Sequence, residues 1–218
     1  GLCPYHADIQ IRRMSLFGGW TTVRDSCPRC DHEFVNTHGP TATSMSSPIA
    51  AILSKMKMNE RYADIQKESL FEIAKLAFNN DNNRQAIAKA GGITAILSTM
   101  NNHSSNADVQ HFGCGALWDL SINNDNNRVT IAEAGGIATI LCAMETHFFN
   151  ANVQQKGCAA LGTLALNNSN KVSIANAGGE ATIESAIRNH PSNVAVYEIA
   201  HQALRILTVV GNDHYGIL

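Results

Sequence analysis

The sequence predicts an all-α protein: a solenoid of three-helix repeats, preceded by a small zinc-binding module. A stretch of about 44 residues recurs three times, with Gly91, Gly135 and Gly178 at equivalent positions that are 44 and then 43 residues apart. Self-similarity with a period of roughly 20 to 50 residues is typical of solenoids. Near the start of the chain, two short Cys/His pairs have the spacing of zinc ligands.

Composition limits the classes of partner. The 218 residues allow one or two domains with a sizeable core, and the formal charge of -2 gives no electrostatic reason to expect nucleic acid or an anionic membrane. The sequence contains no apolar run of about 18 residues that would span a bilayer, and its first residues lack a secretory pattern. We therefore expect a cytoplasmic or nuclear protein. The start at Gly1 rather than Met indicates a fragment of a longer chain.

The zinc prediction concerns residues 1–39. Cys3-Pro-Tyr-His6 and Cys27-Pro-Arg-Cys30 are two ligand pairs, each with two residues between the ligands, as in a structural site for one zinc ion. Metal binding would supply the folding free energy of so short a segment. Four protein ligands leave no open position for catalysis. Alternatives are that His32 or His38 replaces His6, that Cys27 and Cys30 form a redox pair, or that the segment binds no metal.

Residues 40–48 form a predicted linker, since small hydroxylated residues lie between Pro40 and Pro48. Ser47 before Pro48 is a plausible start for the first helix. The repeats are predicted at 49–211, divided as 49–78 (partial), 79–122, 123–166 and 167–210, with a tail at 212–218.

Within a copy, residues that start or end helices predict three helices. The first is predicted from about Asn83 to Ala90, ending at Gly91-Gly92 because Gly accepts the left-handed conformation past a helix end. The second is predicted from Ile93 to about Met100, and the third from about Ala107 to Ile122, with an apolar face at helical spacing. Recurrent Asn residues are assigned to turns and helix N-caps. Cys114, Cys142 and Cys158, on helical patterns, are predicted to be buried.

These copies resemble the armadillo repeat. The resemblance rests on NNRQAIAKAGGITAIL, NNRVTIAEAGGIATIL and NKVSIANAGGEATI, followed by VQHFGCGALWDL, VQQKGCAALGTL and VYEIAHQALRIL. It covers about three quarters of the chain and implies a right-handed α-solenoid in which each unit buries its apolar stripe only against its neighbours. Three full units and one that lacks its first helix are expected.

The resemblance also implies a groove for a peptide, because third helices line the concave face of armadillo proteins. The side chains then expected in the groove are Lys75, Phe78, His111, Trp118, Asp119, Ile122, Gln155 and Arg205. Armadillo receptors of nuclear signals use a ladder of Trp and Asn there. Only Trp118 matches that ladder, since Ile122 occupies the Asn position, so an importin-like receptor is disfavoured. Trp118 is the leading candidate contact because Trp is enriched among binding hot spots.

Two candidate functions follow from these patterns. The first is a non-enzymatic scaffold that binds a protein or peptide segment along the groove, with no small-molecule substrate expected because titratable groups do not cluster. The second is a ubiquitin-pathway or redox component in which the Cys/His module is functional, although a RING would need eight ligands. The oligomeric state and the partner's identity are not predicted by any pattern.

Overall fold

A computed structural model describes residues 47–208, and these residues form α-helices joined by short turns. In chain order the helices are α1 (Pro48–Met58), α2 (Ala63–Ala77), α3 (Asp81–Lys89), α4 (Gly92–Asn102), α5 (Ala107–Ser121), α6 (Asp125–Glu133), α7 (Gly136–Thr146), α8 (Ala151–Leu164), α9 (Asn168–Asn176), α10 (Gly179–Asn189) and α11 (Val194–Thr208). The predicted zinc ligands Cys3, His6, Cys27 and Cys30 lie outside this range, as do most of the predicted linker and the predicted tail.

The predicted all-α architecture of helical repeats is confirmed within the described range. Helices α3 to α5, α6 to α8 and α9 to α11 are three units with a short first helix, a second helix and a longer third helix, and α1 and α2 are the second and third helices of a partial unit. Neighbouring third helices pack against each other more extensively than neighbouring first or second helices do. The order α2, α5, α8, α11 therefore makes one continuous layer.

Helix boundaries follow the predicted caps, with small shifts. The side chains of Asn80 and Asn124 accept hydrogen bonds from the N–H groups of Asn83 and Asn127, 3.0 Å each, so α3 begins at Asp81, two residues earlier than predicted. Gly135, at φ 86°, ends the turn before α7 in the left-handed conformation. An L side chain there is strained, which explains the recurrence of Gly at this position.

Some of the Asn residues have a role beyond turns and caps. Asn127 is buried, and its Nδ2 donates to Leu120 O at 2.8 Å and to Arg84 O in the preceding repeat at 3.3 Å. Asn170 donates in the same way to Arg128 O at 2.9 Å. The bond to Leu120 O satisfies a carbonyl group near the end of α5, and the bonds to Arg84 O and Arg128 O connect successive units.

Two further sets of polar side chains repeat between units. Gln66, Gln110 and Gln154 are buried, and each donates from Nε2 to two carbonyl groups at the end of the second helix of its own unit. His103, His147 and His190 each donate from Nε2 to a carbonyl in the turn of the preceding unit, at 2.7 to 3.0 Å. Backbone polar groups between helices are thus paired by a repeated set of side chains.

The apolar core runs between the helical layers. The largest fully buried side chains include Leu70, Ile87, Leu117 and Leu161. Close packing also requires Gly: a Cβ at Gly113 would lie 2.5 Å from the Met100 side chain. The core therefore depends on small residues in the third helices as well as on large ones.

The cysteine prediction is wrong at one position. Cys114 and Cys158 are fully buried, as predicted, but Cys142 is exposed on α7, with its Sγ 3.9 Å from Thr146 Oγ1. Its position falls on the outer side of a second helix, which the sequence pattern did not resolve.

Of the helices described, none is by itself long and apolar enough to cross a membrane; α6 and α7 reach that length and composition only as a pair, which is bent by 72°.

Candidate functional site: the third-helix face

The candidate site lies on the solvent side of α2, α5, α8 and α11, here called the third-helix face. Equivalent positions on these helices carry different side chains: Ala74, Trp118, Gly162 and Arg205 occupy one row, in which Gly162 is buried. A surface built on packed helices holds its side chains in fixed relative positions. The chemistry of this face therefore differs from repeat to repeat.

Trp118 and Lys156 form the central contact of this face. The Lys156 Nζ lies 4.5 Å from the centroid of the Trp118 indole, so α8 and α5, in successive repeats, share a cation–π contact. The lysine stem passes over Gly115, where a Cβ would lie 3.8 Å from Lys156 Cδ. That is an ordinary van der Waals distance, and Trp118 is half-buried and also packs against the core.

Asp119 is the carboxylate beside this contact. Burial raises the pKa of the Asp119 carboxyl above its ordinary value, whereas the positive charges of Lys156 and Arg84 act in the opposite direction. No ion pair within 4.0 Å involves Asp119 among the described residues. The carboxyl is therefore a half-buried acceptor with capacity for a further partner.

Three aromatic side chains, Phe71, Phe112 and His111, here called the aromatic step, lie nearer the N-terminal ends of the third helices. The Phe71 and Phe112 rings meet edge to face at a centroid distance of 5.6 Å, and His111 lies against Phe112 at 4.7 Å. His111 Nδ1 is 3.2 Å from the Asn152 carbonyl, which ties α5 to α8. Phe71 is 52% exposed and offers apolar surface to a ligand.

The structure brings only some of the predicted groove residues together. Trp118 and Asp119 are neighbours of Lys156, and His111 belongs to the aromatic step. Lys75 and Phe78 are exposed at the C-terminal end of α2, and Arg205 is exposed at the C-terminal end of α11, at the other end of the row of third helices. Ile122 and Gln155 are half-buried on α5's C-terminal side and on α8.

Sequence reasoning missed Lys156 and the Phe71–Phe112 pair as members of the site. Both are contacts between neighbouring units, so they depend on how far one third helix is shifted along the next. The repeat alignment equates Lys156 with Phe112 and does not contain that shift. Gly115 gave no signal for the Lys156 contact, because a Cβ there would lie at an ordinary distance of 3.8 Å from Lys156 Cδ.

Other surfaces and groups were considered for chemistry. Burial raises the pKa of the Cys114 thiol to about 12, with a further contribution from Cys158, and burial does the same for Cys158. Neither thiol is a nucleophile at neutral pH. Within residues 47–208 no three His, Cys, Asp or Glu side chains group as metal ligands. Two open depressions of about 320 and 360 Å³ lie in the turn at 146–150 and beside α4, away from the third-helix face.

Comparison with known proteins supports the fold. No protein-family model and no curated protein matches the chain. Solved structures do match: a designed armadillo repeat protein has a TM-score of 0.63 and 20% identity over 75% of this chain and 65% of its own. The fold is an armadillo-like helical repeat.

Two crystal structures of engineered proteins show the same similarity. One has a TM-score of 0.65 and 21% identity, covering 73% of this chain and 62% of its own; the other has 0.65 and 22%, covering 75% and 38%. The chain thus spans less than two thirds of the length of these three structures. At such identities the likeness concerns the fold alone.

Proposed function

We propose that this protein is a non-enzymatic scaffold that binds a peptide or an extended protein segment on the third-helix face. The observation that supports it is the Trp118–Lys156 contact, which places an indole and an ammonium group of adjacent repeats on one surface. Trp is enriched among residues that dominate binding energy, and repeat solenoids present extended surfaces of this kind.

The neighbouring groups supply the other contacts of such a site. Asp119 accepts hydrogen bonds from a peptide backbone, Phe71 and Phe112 provide apolar area, and Lys75, Phe78 and Arg205 extend the surface to both sides. Because packed helices hold these groups, binding costs little conformational entropy.

The test is selection from a displayed library of random 12-residue peptides against the full chain, followed by affinity measurement for enriched peptides. Trp118→Ala is expected to weaken binding by about 30-fold, roughly 2 kcal/mol. The matched control is Phe149→Ala, which removes an aromatic ring that is 73% exposed in a turn away from the face.

Enriched peptides that bind Trp118→Ala and the original chain equally would overturn the proposal, provided that circular dichroism shows both to be folded. Trp118→Phe is the second variant, because it keeps most of the packing against the core. It should bind more tightly than Trp118→Ala and more weakly than the original chain.

A further inference from the structure

The units at the two ends of the array differ from the inner units, α3 to α5 and α6 to α8, at positions where a neighbouring unit would pack. Phe112 of α5 meets Phe71 of the preceding third helix, and Lys156 of α8 lies over Trp118 of the preceding third helix. This position therefore faces the preceding unit. Its equivalent in α2 is Glu68, whose side chain is 64% exposed. A carboxylate thus occupies a position that elsewhere makes contacts between units.

Glu68 belongs to a cluster of three charges on the partial unit, here called the charged cluster. Lys55 Nζ lies 3.5 Å from Glu68 Oε2 and 3.6 Å from Glu72 Oε1. In the other units described, the positions of Lys55 and Glu72 carry buried small residues: Thr99, Ala143 and Ala186 for Lys55, and Ala116, Ala160 and Ala203 for Glu72. A helical unit stacked in front of α1 and α2 would bury one lysine with two carboxylates. That burial is unfavourable because one negative charge is left uncompensated.

The second helix of the last unit described, α10, shows the same kind of change on the opposite side. Leu97 of α4 borders an open depression together with Ala134 of the following unit, so its position faces that unit. Leu97 and Leu141 are buried, whereas the equivalent Glu184 of α10 is exposed. One turn earlier, the exposed Glu180 replaces two buried isoleucines, Ile93 and Ile137. Carboxylates thus replace the apolar side chains of the inner units.

The third helix of the last unit, α11, also has polar side chains at such positions. Cys114 and Cys158 are fully buried at equivalent positions of α5 and α8, and the equivalent residue of α11 is the exposed His201. The His201 ring centroid lies 4.2 Å from that of Tyr197, which occupies the position of the buried Gln of the other three units. The exposed Gln202 replaces a buried Gly or Ala of the inner units. The outer side of this unit is therefore more polar than that of an inner unit.

The electrostatics of helix ends explain only part of this pattern. Lys55 lies in the last turn of α1, where a cation is favoured, and Glu180 lies in the first turn of α10, where an anion is favoured. Glu68, Glu72 and Glu184 lie in the interiors of their helices. What these five residues share is a position that faces a neighbouring unit elsewhere in the array.

We propose that α1 with α2 and α9 to α11 are capping units, and that neither a further helical unit nor a second copy of this chain stacks on the ends of the array. Terminal units with a polar outer face keep a solenoid soluble, because no neighbour covers them. Segments joined to the array through a connector are compatible with such caps. Partners therefore meet the array from its sides, and the third-helix face consists of four helices.

The test opens one end at a time in the full chain, with side chains of the kind that other units carry at the same positions. The front-open variant removes the charged cluster: Lys55→Ala, Glu68→Ile and Glu72→Ala. The back-open variant replaces the polar residues of α10 and α11: Glu180→Ile, Glu184→Leu, His201→Leu and Gln202→Ala. Each variant keeps one cap, so a mixture should form a complex of one molecule of each, with α11 packed against α2 as α8 is packed against α5.

Sedimentation velocity measures this association. The two variants should bind each other at least about tenfold more tightly than either binds the original chain, because no unpaired charge is then buried. The matched control is Glu133→Ile with Glu145→Leu, which makes the same kind of substitution on α6 and α7 at positions that are exposed although units lie on both sides. The control should not associate with the front-open variant.

A mixture of the two folded variants that sediments as separate molecules would overturn the proposal. An original chain that self-associates, and that loses this association in Glu72→Lys or Glu184→Lys, would also overturn it, because the ends would then be interfaces. If circular dichroism shows that the multiple substitutions prevent folding, Glu72→Ala and Glu184→Leu are mixed instead. Tighter association of these two than of either with the original chain supports the caps, and no difference overturns them.

Discussion

Two neighbouring side chains of one helix can belong to two different regions of this molecule, the packed interior and the third-helix face. Gln154 on α8 is buried and donates to Met144 O at 2.8 Å and to His147 O at 3.0 Å, as Gln110 does at the equivalent position one repeat earlier. The next residue, Gln155, is half-buried on the third-helix face, and its equivalent is His111. Side chains that pair backbone groups repeat, whereas those on the face vary. The residues that stabilise the fold are therefore separate from the residues proposed to bind a ligand.

The difference between buried and face residues is tested most strongly by replacing Gln154 and Gln155, one at a time, with methionine, which has a similar volume. Gln154→Met leaves two carbonyl groups without their donor and should lower the free energy of unfolding by about 3 kcal/mol. Gln155→Met should change it by less than about 0.5 kcal/mol. Urea denaturation followed by circular dichroism measures both. Similar losses for the two variants would contradict the separation.

A second test concerns the bonds between units. Asn127→Ala removes the donor to Leu120 O and Arg84 O and should cost about 2 kcal/mol. The adjacent Asn126 is exposed, and its substitution by Ala should be nearly neutral. Urea denaturation of both proteins gives the comparison. A neutral Asn127→Ala would show that the units are held together by apolar packing alone.

Two glycines give effects of opposite sign. Gly135 has φ 86°, so Gly135→Ala should destabilise the protein by about 1 kcal/mol. Gly115 lies inside α5 with ordinary space for a Cβ, and Gly115→Ala should stabilise the helix by up to about 1 kcal/mol. Thermal unfolding measures both shifts. Destabilisation by Gly115→Ala would mean that the Lys156 stem needs all of the space above Gly115.

The prediction with the smallest expected effect concerns the reactivity of the cysteine thiols. At pH 7.5 iodoacetamide should label Cys142, which is exposed, and leave Cys114 and Cys158 unlabelled, because they are buried and their pKa values are raised to about 12. Mass spectrometry of proteolytic peptides assigns the label. Rapid labelling of Cys114 in the folded protein would show that α5 separates readily from its neighbours.

The sequence predicted the repeats and their helices well, because those depend on local signals that recur: Asn at the N-cap, Gly at the left-handed turn and apolar residues at helical spacing. Helix ends differed by one or two residues where a cap, such as Asn80, lies earlier than the apolar pattern. The exposed Cys142 was missed because α7 is apolar on more than one side.

The site was less predictable for a geometric reason. Trp118 and Asp119 were identified by their row on the third helix, but their partner Lys156 comes from the next repeat. Asn127 was assigned to a turn, whereas it also connects two units. Such contacts depend on the offset between helices, which the sequence of a single repeat does not contain. The zinc prediction at Cys3, His6, Cys27 and Cys30 stays a prediction.

The central claim is that ligands bind on the third-helix face, and amide chemical-shift mapping of the ¹⁵N-labelled full chain tests it most directly. On addition of a peptide selected from the random library, the largest shifts should fall on residues 111–122 of α5 and its C-cap and on residues 155–163 of α8. At the same peptide concentration, Trp118→Ala should strongly reduce these shifts. Shifts concentrated instead at the turn around Phe148 and Phe149, or on the second helices α4 and α7, would contradict the account.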